Sequence, residues 1–261
     1  MKESDKFVSS NILEGMTSIR SVLYAYQNSI STRRIVEILY SEKKSRARFK
    51  ELNYLNKISS TFGFTMTRCT DEEINMLAIG NTHGGILAKC TDRHIPELFE
   101  VPLDAIEPNG FYMMLDGIED PYNFGYSLRS AYAAGTDGII LPRRNWLSAA
   151  GIVARASAGA SERFRMYMAS AEEAVRFFNE KGYKVLCAEK KNSTSIYNAD
   201  LTKPVFLIVG GEKRGIAASV LKEADCIVRI DYGRDFAASL SAASAATILA
   251  YEIFRQNLKQ P

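Results

Sequence analysis

The sequence predicts an α/β protein in which a parallel sheet with helices on both faces follows a smaller N-terminal α/β domain. Three observations carry that expectation. Beyond Asn109, short apolar runs alternate with segments of helical period, the pattern of a parallel sheet built from βαβ units. Pro96, Pro102 and Pro108 are spaced so as to exclude a continuous helix or a central strand, and they mark a linker at residues 93–109 between domains at 1–92 and 110–261. A chain of 261 residues with 46% hydrophobic content is long enough to bury a full core.

In chain order, Leu13 to Ala25 reads as a first helix and Arg34 to Tyr40 as a buried strand, followed by a basic helix from Lys43 to Ser59. Phe62 to Cys69 is expected as a second strand. Asp71-Glu72-Glu73 opens a short helix, because acids are favourable in a first turn. Gly84 to Cys90 closes this half as a third strand. After the linker, strands are expected at Phe111–Leu115, Gly138–Leu141, Phe164–Met168, Lys184–Ala188, Val205–Val209 and Cys226–Ile230. Helices are expected at Phe124–Ala134, Leu147–Ala156, Ala171–Lys181, Gly215–Lys222 and Ala238–Gln256. Ligands of such sheets bind at the carboxyl ends of the strands.

Composition excludes several classes. The net charge is only +3, but residues 31–60 hold eight basic residues (Arg33, Arg34, Lys43, Lys44, Arg46, Arg48, Lys50, Lys57) against three acids. That local excess suits a polyanion, and equally a solvated helix face. Cys69, Cys90, Cys187 and Cys226 form no Cys-x-x-Cys pair, and His83 and His94 are the only imidazoles. Neither a zinc site nor a disulfide framework is expected, and reduced thiols fit a cytoplasmic protein. The charged start lacks a following apolar core, so no signal peptide is expected. The longest uncharged run, Phe236 to Tyr251, is too rich in Ser and Ala to span a membrane.

Three segments at strand-to-helix or loop-to-helix junctions mix small residues with lone polar groups, the composition of loops that press backbone against a ligand. In the first, Leu115-Asp116-Gly117 ends a strand, Asp120-Pro121 turns the chain and Asn123 stands at a helix mouth, with Arg129 nearly two turns on. Asn123 reads as a helix cap or a site residue, and Arg129 as a surface ion pair or a site residue. In the second, Gly210-Gly211-Glu212 follows an apolar strand and Gly215 opens the next helix. It lacks the Lys-Ser/Thr of a P-loop and the glycine spacing of a dinucleotide fold. The third, from Ser239 to Glu252, is a helix whose first turns carry almost only Ser and Ala, which permits close approach to another backbone.

In this order and spacing the segments resemble the SpoU/TrmH family of RNA ribose 2′-O-methyltransferases. The resemblance implies a trefoil knot in the C-terminal half, S-adenosylmethionine as cofactor, a homodimer and no metal. It implies catalytic roles for Asn123, Arg129, Glu212, Ser239 and Ser241. It also implies cofactor contacts at Leu207, Val209, Gly210, Gly211, Gly215, Ile230, Leu240 and Ala242. Asn81-Thr82-His83-Gly84-Gly85-Ile86 is similar to the His-x-Gly loop of the family's accessory RNA-binding domain. That likeness, with the local basic excess, places RNA contacts at Arg33, Arg34, Lys43, Lys44, Arg46, Arg48 and His83. Because the tRNA enzymes of the family usually lack the accessory domain, ribosomal RNA is the expected substrate.

The sequence departs from the family pattern in two places: the usual Ile-Pro is Ile230-Asp231, and the usual Ser-Leu-Asn is Ser239-Leu240-Ser241. A serine reaches less far than an amide and offers one donor instead of two. Two alternatives therefore stand beside the main expectation: a catalytically silent RNA-binding protein of the same fold, and a large-subunit rRNA methyltransferase conferring antibiotic resistance.

Overall fold

The computed structural model describes residues 11–81, 83–143, 149–212 and 214–258. The chain forms two compact units, one of Met1–His94 with Asn145–Arg163 and one of Ile95–Arg144 with Phe164–Pro261.

The first unit carries β1 (Ile12–Glu14), α1 (Gly15–Gln27), β2 (Ile35–Ser41), α2 (Phe49–Phe62), β3 (Thr65–Cys69), α3 (Asp71–Leu77) and β4 (Ile86–Cys90). Its sheet runs β1-β4-β2-β3, with β4 antiparallel to both neighbours and β2 parallel to β3. Leu13, Ile19, Val22, Ile38, Leu55 and Ile86 pack as its core. The acids at 71–73 do open a helix, and Thr70 and Glu73 close a reciprocal capping box at its start.

Three expectations here need correction. Ile12–Glu14 is a strand, so the first helix begins at Gly15. Residues 43–48 precede α2 instead of forming it, so Lys43, Lys44 and Arg46 sit on an exposed turn. Arg33 is no phosphate contact: it is 1% exposed and pairs with Glu162 at 3.2 Å, while Arg93 lies 3.9 Å from the same carboxylate.

That buried pairing also explains why Asn145–Arg163 belongs with the first unit. Helices α5 (Ala150–Ala156) and α6 (Ala160–Arg163) pack on β1 and α1. Leu147 and Ser148, expected to start this helix, lie outside the described residues.

The second unit is a seven-stranded parallel sheet of order β7-β6-β5-β10-β8-β11-β9. Its strands are β5 (Phe111–Asp116), β6 (Gly138–Leu141), β7 (Arg165–Met168), β8 (Lys184–Ala188), β9 (Thr194–Ser195), β10 (Val205–Gly210) and β11 (Cys226–Arg229). Its helices are α4 (Pro121–Ala133), α7 (Ala171–Glu180), α8 (Ala218–Lys222) and α9 (Ala242–Gln256), and α4 packs on α9 as α7 packs on α8. Tyr112, Phe178 and Phe206 lie in the core, the last two stacked at 4.3 Å. The proline-bearing stretch holds only two short 3-10 turns, as its prolines require, but it is docked to the sheet, with Met168 N–H donating to the Pro96 carbonyl at 2.9 Å.

Three helix starts and one strand differ from expectation, α8 beginning at Ala218 because Gly215, with φ +61, lies in the preceding turn. Helix α4 begins at Pro121, which suits a first helical position because its missing N–H has no partner to lose. Asp120 is its cap and accepts from Asn123 N–H at 2.7 Å, so Asn123 lies inside the first turn and is not the cap. Helix α9 begins at Ala242, four residues late, and β9 has only two residues, too few to show a period.

The Arg33–Glu162–Arg93 cluster gives a direct test. Glu162→Ala leaves two buried guanidinium groups without their carboxylate and is expected to cost about 3 kcal/mol in urea unfolding. A loss of a few tenths would show that the pair is dispensable.

Candidate functional site

Three neighbouring strands of the parallel sheet, β10, β8 and β11, end at one cavity of about 340 Å³. Its wall takes Ala188 to Lys190 from the end of β8, Val209 to Glu212 from β10, and Val228 to Ile230 from β11. Ser239 and Leu240 close it before α9, which contributes Ala245 and Leu249.

The loop after β10 is shaped by missing side chains. A Cβ on Gly211 would lie 2.2 Å from the Gly117 carbonyl oxygen, so the loops after β5 and β10 meet backbone to backbone. A Cβ on Gly210 would lie 2.8 Å from the Gly215 carbonyl carbon. Gly215 has φ +61, and its N–H donates to the Gly211 carbonyl at 3.0 Å, curling the loop onto itself.

Side chains then tie this loop to its neighbours. Glu212 accepts from Ala242 N–H at 3.3 Å and so holds the loop to the start of α9. Tyr232 accepts from Leu240 N–H at 3.0 Å, and Lys190 sits 4.4 Å over the Tyr232 ring while donating to the Ala238 carbonyl at 3.2 Å. The segment from Tyr232 to Leu240 is thereby folded over one side of the cavity. Arg229 pairs with Asp231 at 2.9 Å, and hydrogen bonds from Ser195 first and Arg229 second hold the Asp231 carboxyl below the usual carboxylate range. Lys190, Arg214 and Arg229 line the wall together with Glu189 and Glu212, beside Val209, Val228, Leu240 and Leu249.

Of the expected site residues, Val209, Gly210, Gly211, Glu212, Gly215, Ile230, Ser239 and Leu240 line the cavity. Leu207 is fully buried within β10 and is not part of the lining. Ala242 reaches the site only through its N–H to Glu212. Ser241 is the cap of α9, accepting from Ser244 N–H at 3.1 Å, and it does not line the wall. Asn123 and Arg129, on α4, lie outside the lining, with Arg129 exposed.

Among the expected RNA contacts in the first unit, Arg34, Lys43, Lys44 and Arg46 are exposed. Arg48 pairs with Glu51 at 3.1 Å, and buried His83 accepts from Gly85 N–H at 3.1 Å through Nδ1. Burial pulls the His83 imidazole below its ordinary value, so it serves as a neutral group.

Sequence reasoning missed Ala188, Glu189, Lys190, Arg214, Arg229 and Tyr232. The first three and Arg229 follow or end correctly placed strands, so extending the strand-end rule to β8 and β11 would have found them. Burial pushes the Cys90 and Cys187 thiols up to about 12, which removes both as nucleophiles at neutral pH. Among the described residues no group of His, Cys, Asp or Glu could hold a metal ion, and no helix is long and apolar enough to cross a membrane.

The model of the SpoU rRNA Methylase family matches residues 110–251, more than half of the chain. A Staphylococcus saprophyticus protein named for the TrmH family of tRNA/rRNA methyltransferases is 33% identical over 145 residues, which are 55% of this chain and 58% of that protein. The chain thus spans somewhat more than half of that relative's length. A Burkholderia protein named 23S rRNA (guanosine-2′-O-)-methyltransferase RlmB is 26% identical over 250 residues, 95% of this chain and 98% of its own. The crystal structure of an AdoMet-bound rRNA methyltransferase from Sinorhizobium meliloti shares the fold, with a TM-score of 0.79 at 22% identity, covering 98% of this chain and 95% of that one.

The clamp over the cavity is open to measurement. Tyr232→Phe deletes only the hydroxyl that accepts from Leu240 N–H, and is expected to weaken this corner by about 1 kcal/mol. Amide hydrogen exchange at Leu240 should speed up while global unfolding is unchanged. An unaltered exchange rate would mean that the tyrosine does not hold the segment.

Proposed function

This chain belongs to the SpoU rRNA methylase family, and from that membership we propose that it methylates a ribose 2′-hydroxyl of structured RNA with S-adenosylmethionine, on ribosomal in preference to transfer RNA. The observation that carries the reading is the cavity at the ends of β10, β8 and β11, whose wall includes the backbone of Gly210, Gly211 and Gly215, the first two packed too closely on neighbouring backbone to bear a side chain. Its residues fit the cofactor: Val209, Val228, Leu240 and Leu249 offer an apolar face, and Glu189 and Glu212 offer acceptors for amino and hydroxyl groups. Bound there, the cofactor supplies an electrophilic methyl on a positively charged sulfur.

The remaining demand falls on the protein. A ribose hydroxyl is a poor nucleophile at neutral pH, and its proton is lost to water as the new oxygen–carbon bond replaces the carbon–sulfur bond. Arg129 is exposed, and a guanidinium suits a phosphate anchor that stabilises developing negative charge on the oxygen better than a base that takes the proton. Glu212 keeps the cofactor loop on the start of α9. Support for a ribosomal substrate comes from the Burkholderia relative, which aligns along nearly its whole length and so includes the first unit. A cytoplasmic setting follows from that substrate.

The trefoil knot and the homodimer belong to the same proposal. The ends of β10 and β11 and the start of α9 meet at one cavity while α9 packs back on α4, as a tucked C-terminal segment would require. The small residues of α9 are used within the chain: Ala242, Ala246 and Ala250 are buried. A dimer face is offered by the exposed Tyr122 and Tyr126 of α4 with Tyr251 and Phe254 of α9. Light scattering at micromolar concentration tests it, and a monomer would count against it.

The departure at Ser241 does not favour a silent protein, because that serine caps a helix and contributes no group to the wall. Ser241→Asn, which keeps a good cap, should leave turnover near wild type, whereas Ser241→Ala should cost about 1 kcal/mol of stability.

Calorimetry with S-adenosylmethionine and transfer of labelled methyl to ribosomal RNA test the whole reading. Gly210→Val should abolish cofactor binding. Arg129→Ala should remove transfer and leave cofactor affinity within a few-fold, and Lys should rescue poorly because an ammonium lacks the guanidinium fork. Full transfer by Arg129→Ala, or unchanged affinity in Gly210→Val, would refute the assignments.

A further inference from the structure

The wall of the cavity in the second unit carries two carboxylates, and they are held differently. Glu212 is committed to the fold, because its Oε1 accepts from Ala242 N–H and ties the loop to α9. Glu189 ties no distant segment. It stands one residue beyond β8, and its own N–H donates to the Val228 carbonyl at 3.0 Å. The ladder between β8 and β11 thus runs one step past Ala188 and fixes the Glu189 backbone.

The half-buried side chain is oriented as well. Its Oε1 accepts from Lys190 N–H at 2.7 Å, and its Oε2 lies beside Gly215, where a Cβ would be 3.6 Å away. Among the described residues neither a donor nor a cation engages Oε2. Two cations of the wall are occupied elsewhere: Arg229 pairs with Asp231, and Lys190 lies over the Tyr232 ring and donates to the Ala238 carbonyl. An acceptor held on a strand end, with one oxygen beside a glycine of the cavity wall, is placed for a ligand.

Its place along the wall indicates which group of the ligand it meets. Val209, Ala188 and Val228 are paired side by side near the ends of β10, β8 and β11. This apolar row suits the face of an adenine and disfavours the charged amino and carboxylate groups of the methionine tail, which are costly to take out of water. Glu189 follows the middle member of the row, and the group bonded to adenine is the ribose. The ribose offers two neighbouring O–H donors, a carboxylate is an acceptor only, and the sulfonium has no donor at all. An acid at the carboxyl end of a strand in a parallel sheet is a sound partner for a ribose hydroxyl.

We infer that Glu189 is the residue by which this site selects a ribonucleoside, its Oε2 accepting from the ribose hydroxyls of S-adenosylmethionine. The inference rests on the methyltransferase reading for the identity of the ligand and adds the group through which it is recognised.

Calorimetry on the full chain tests it with S-adenosylmethionine, S-adenosylhomocysteine, 5′-methylthioadenosine and the 2′,3′-dideoxy form of the last. Methylthioadenosine keeps base and ribose but has neither the sulfonium charge nor the amino-acid tail. In the wild type, loss of the two hydroxyls should weaken it about tenfold, the scale of a hydrogen bond to a charged group. Glu189→Ala should weaken the three hydroxyl-bearing ligands alike, each about tenfold, and leave the dideoxy form unchanged. A merely structural role would instead weaken all four and keep the penalty for the missing hydroxyls, which would overturn the proposal. Loss confined to S-adenosylmethionine would assign Glu189 to the sulfonium, and loss spared only in the two methylthioadenosines would assign it to the tail; either overturns it. Glu189→Gln keeps the bond to Lys190 N–H and serves if the alanine variant does not fold. It should weaken the hydroxyl-bearing ligands about threefold, because a neutral amide makes the weaker hydrogen bond. Wild-type affinity in either folded variant would overturn the inference alone and leave the cofactor reading standing. A wild type that binds none of the four ligands would overturn both.

Discussion

The site in the second unit depends on one close approach, that of the Gly117 carbonyl to Gly211. Adjacent strands of a parallel sheet lie about 4.8 Å apart, and their side chains normally keep the loops beyond them separate. Here β5 and β10 are hydrogen-bonded neighbours in register to their last residues, Asp116 and Gly210, and the next residue on each strand is a glycine. With no Cβ between them, the two loops remain in contact past the end of the sheet. That contact lets the 210–215 loop curl onto Gly215 and brings Glu212 within reach of the first N–H of α9. A cavity lined by backbone follows from it, and a side chain at Gly211 would wedge the loops apart.

Much of this was legible. The strands of the second unit declared themselves as short apolar runs, and Lys184–Ala188 agrees with β8 at both ends because Gly182 and the polar stretch after Ala188 bound it sharply. The glycines of the second segment were legible as a place of close backbone approach, and both are used for that, Gly211 against the Gly117 carbonyl and Gly210 against Gly215. What stayed hidden was set by contacts between distant residues. Arg33 reads as part of a basic surface until Glu162, 129 residues later, is folded against it. Ser241 reads as a weakened site residue because sequence position cannot distinguish a side chain that faces the cavity from one that turns back to cap its own helix.

Helix starts were misjudged for a related reason. A proline interrupts a helical pattern in most positions but is favoured in the first turn, so the Asp120-Pro121 turn hid the true start of α4. Moving that start by one turn changes the role of Asn123 from cap to a residue inside the first turn, with its carbonyl accepting from the Ser127 hydroxyl at 2.8 Å. The roles of Asn123 and Ser241 thus turn on the same question, which residue caps the helix. Asp120 and Ser241 take that work, and each does so with a short side chain reaching the third following N–H.

The charge of the cofactor limits the charge its wall can carry. A sulfonium cofactor is itself positive, so a wall crowded with unpaired cations would repel it. In the second unit Arg229 is engaged by Asp231, and Lys190 by the Tyr232 ring and the Ala238 carbonyl. Arg129 stays outside that wall on an exposed helix face. Pairing of the wall cations with Asp231, the Tyr232 ring and the Ala238 carbonyl lets the wall carry them without repelling a positive ligand.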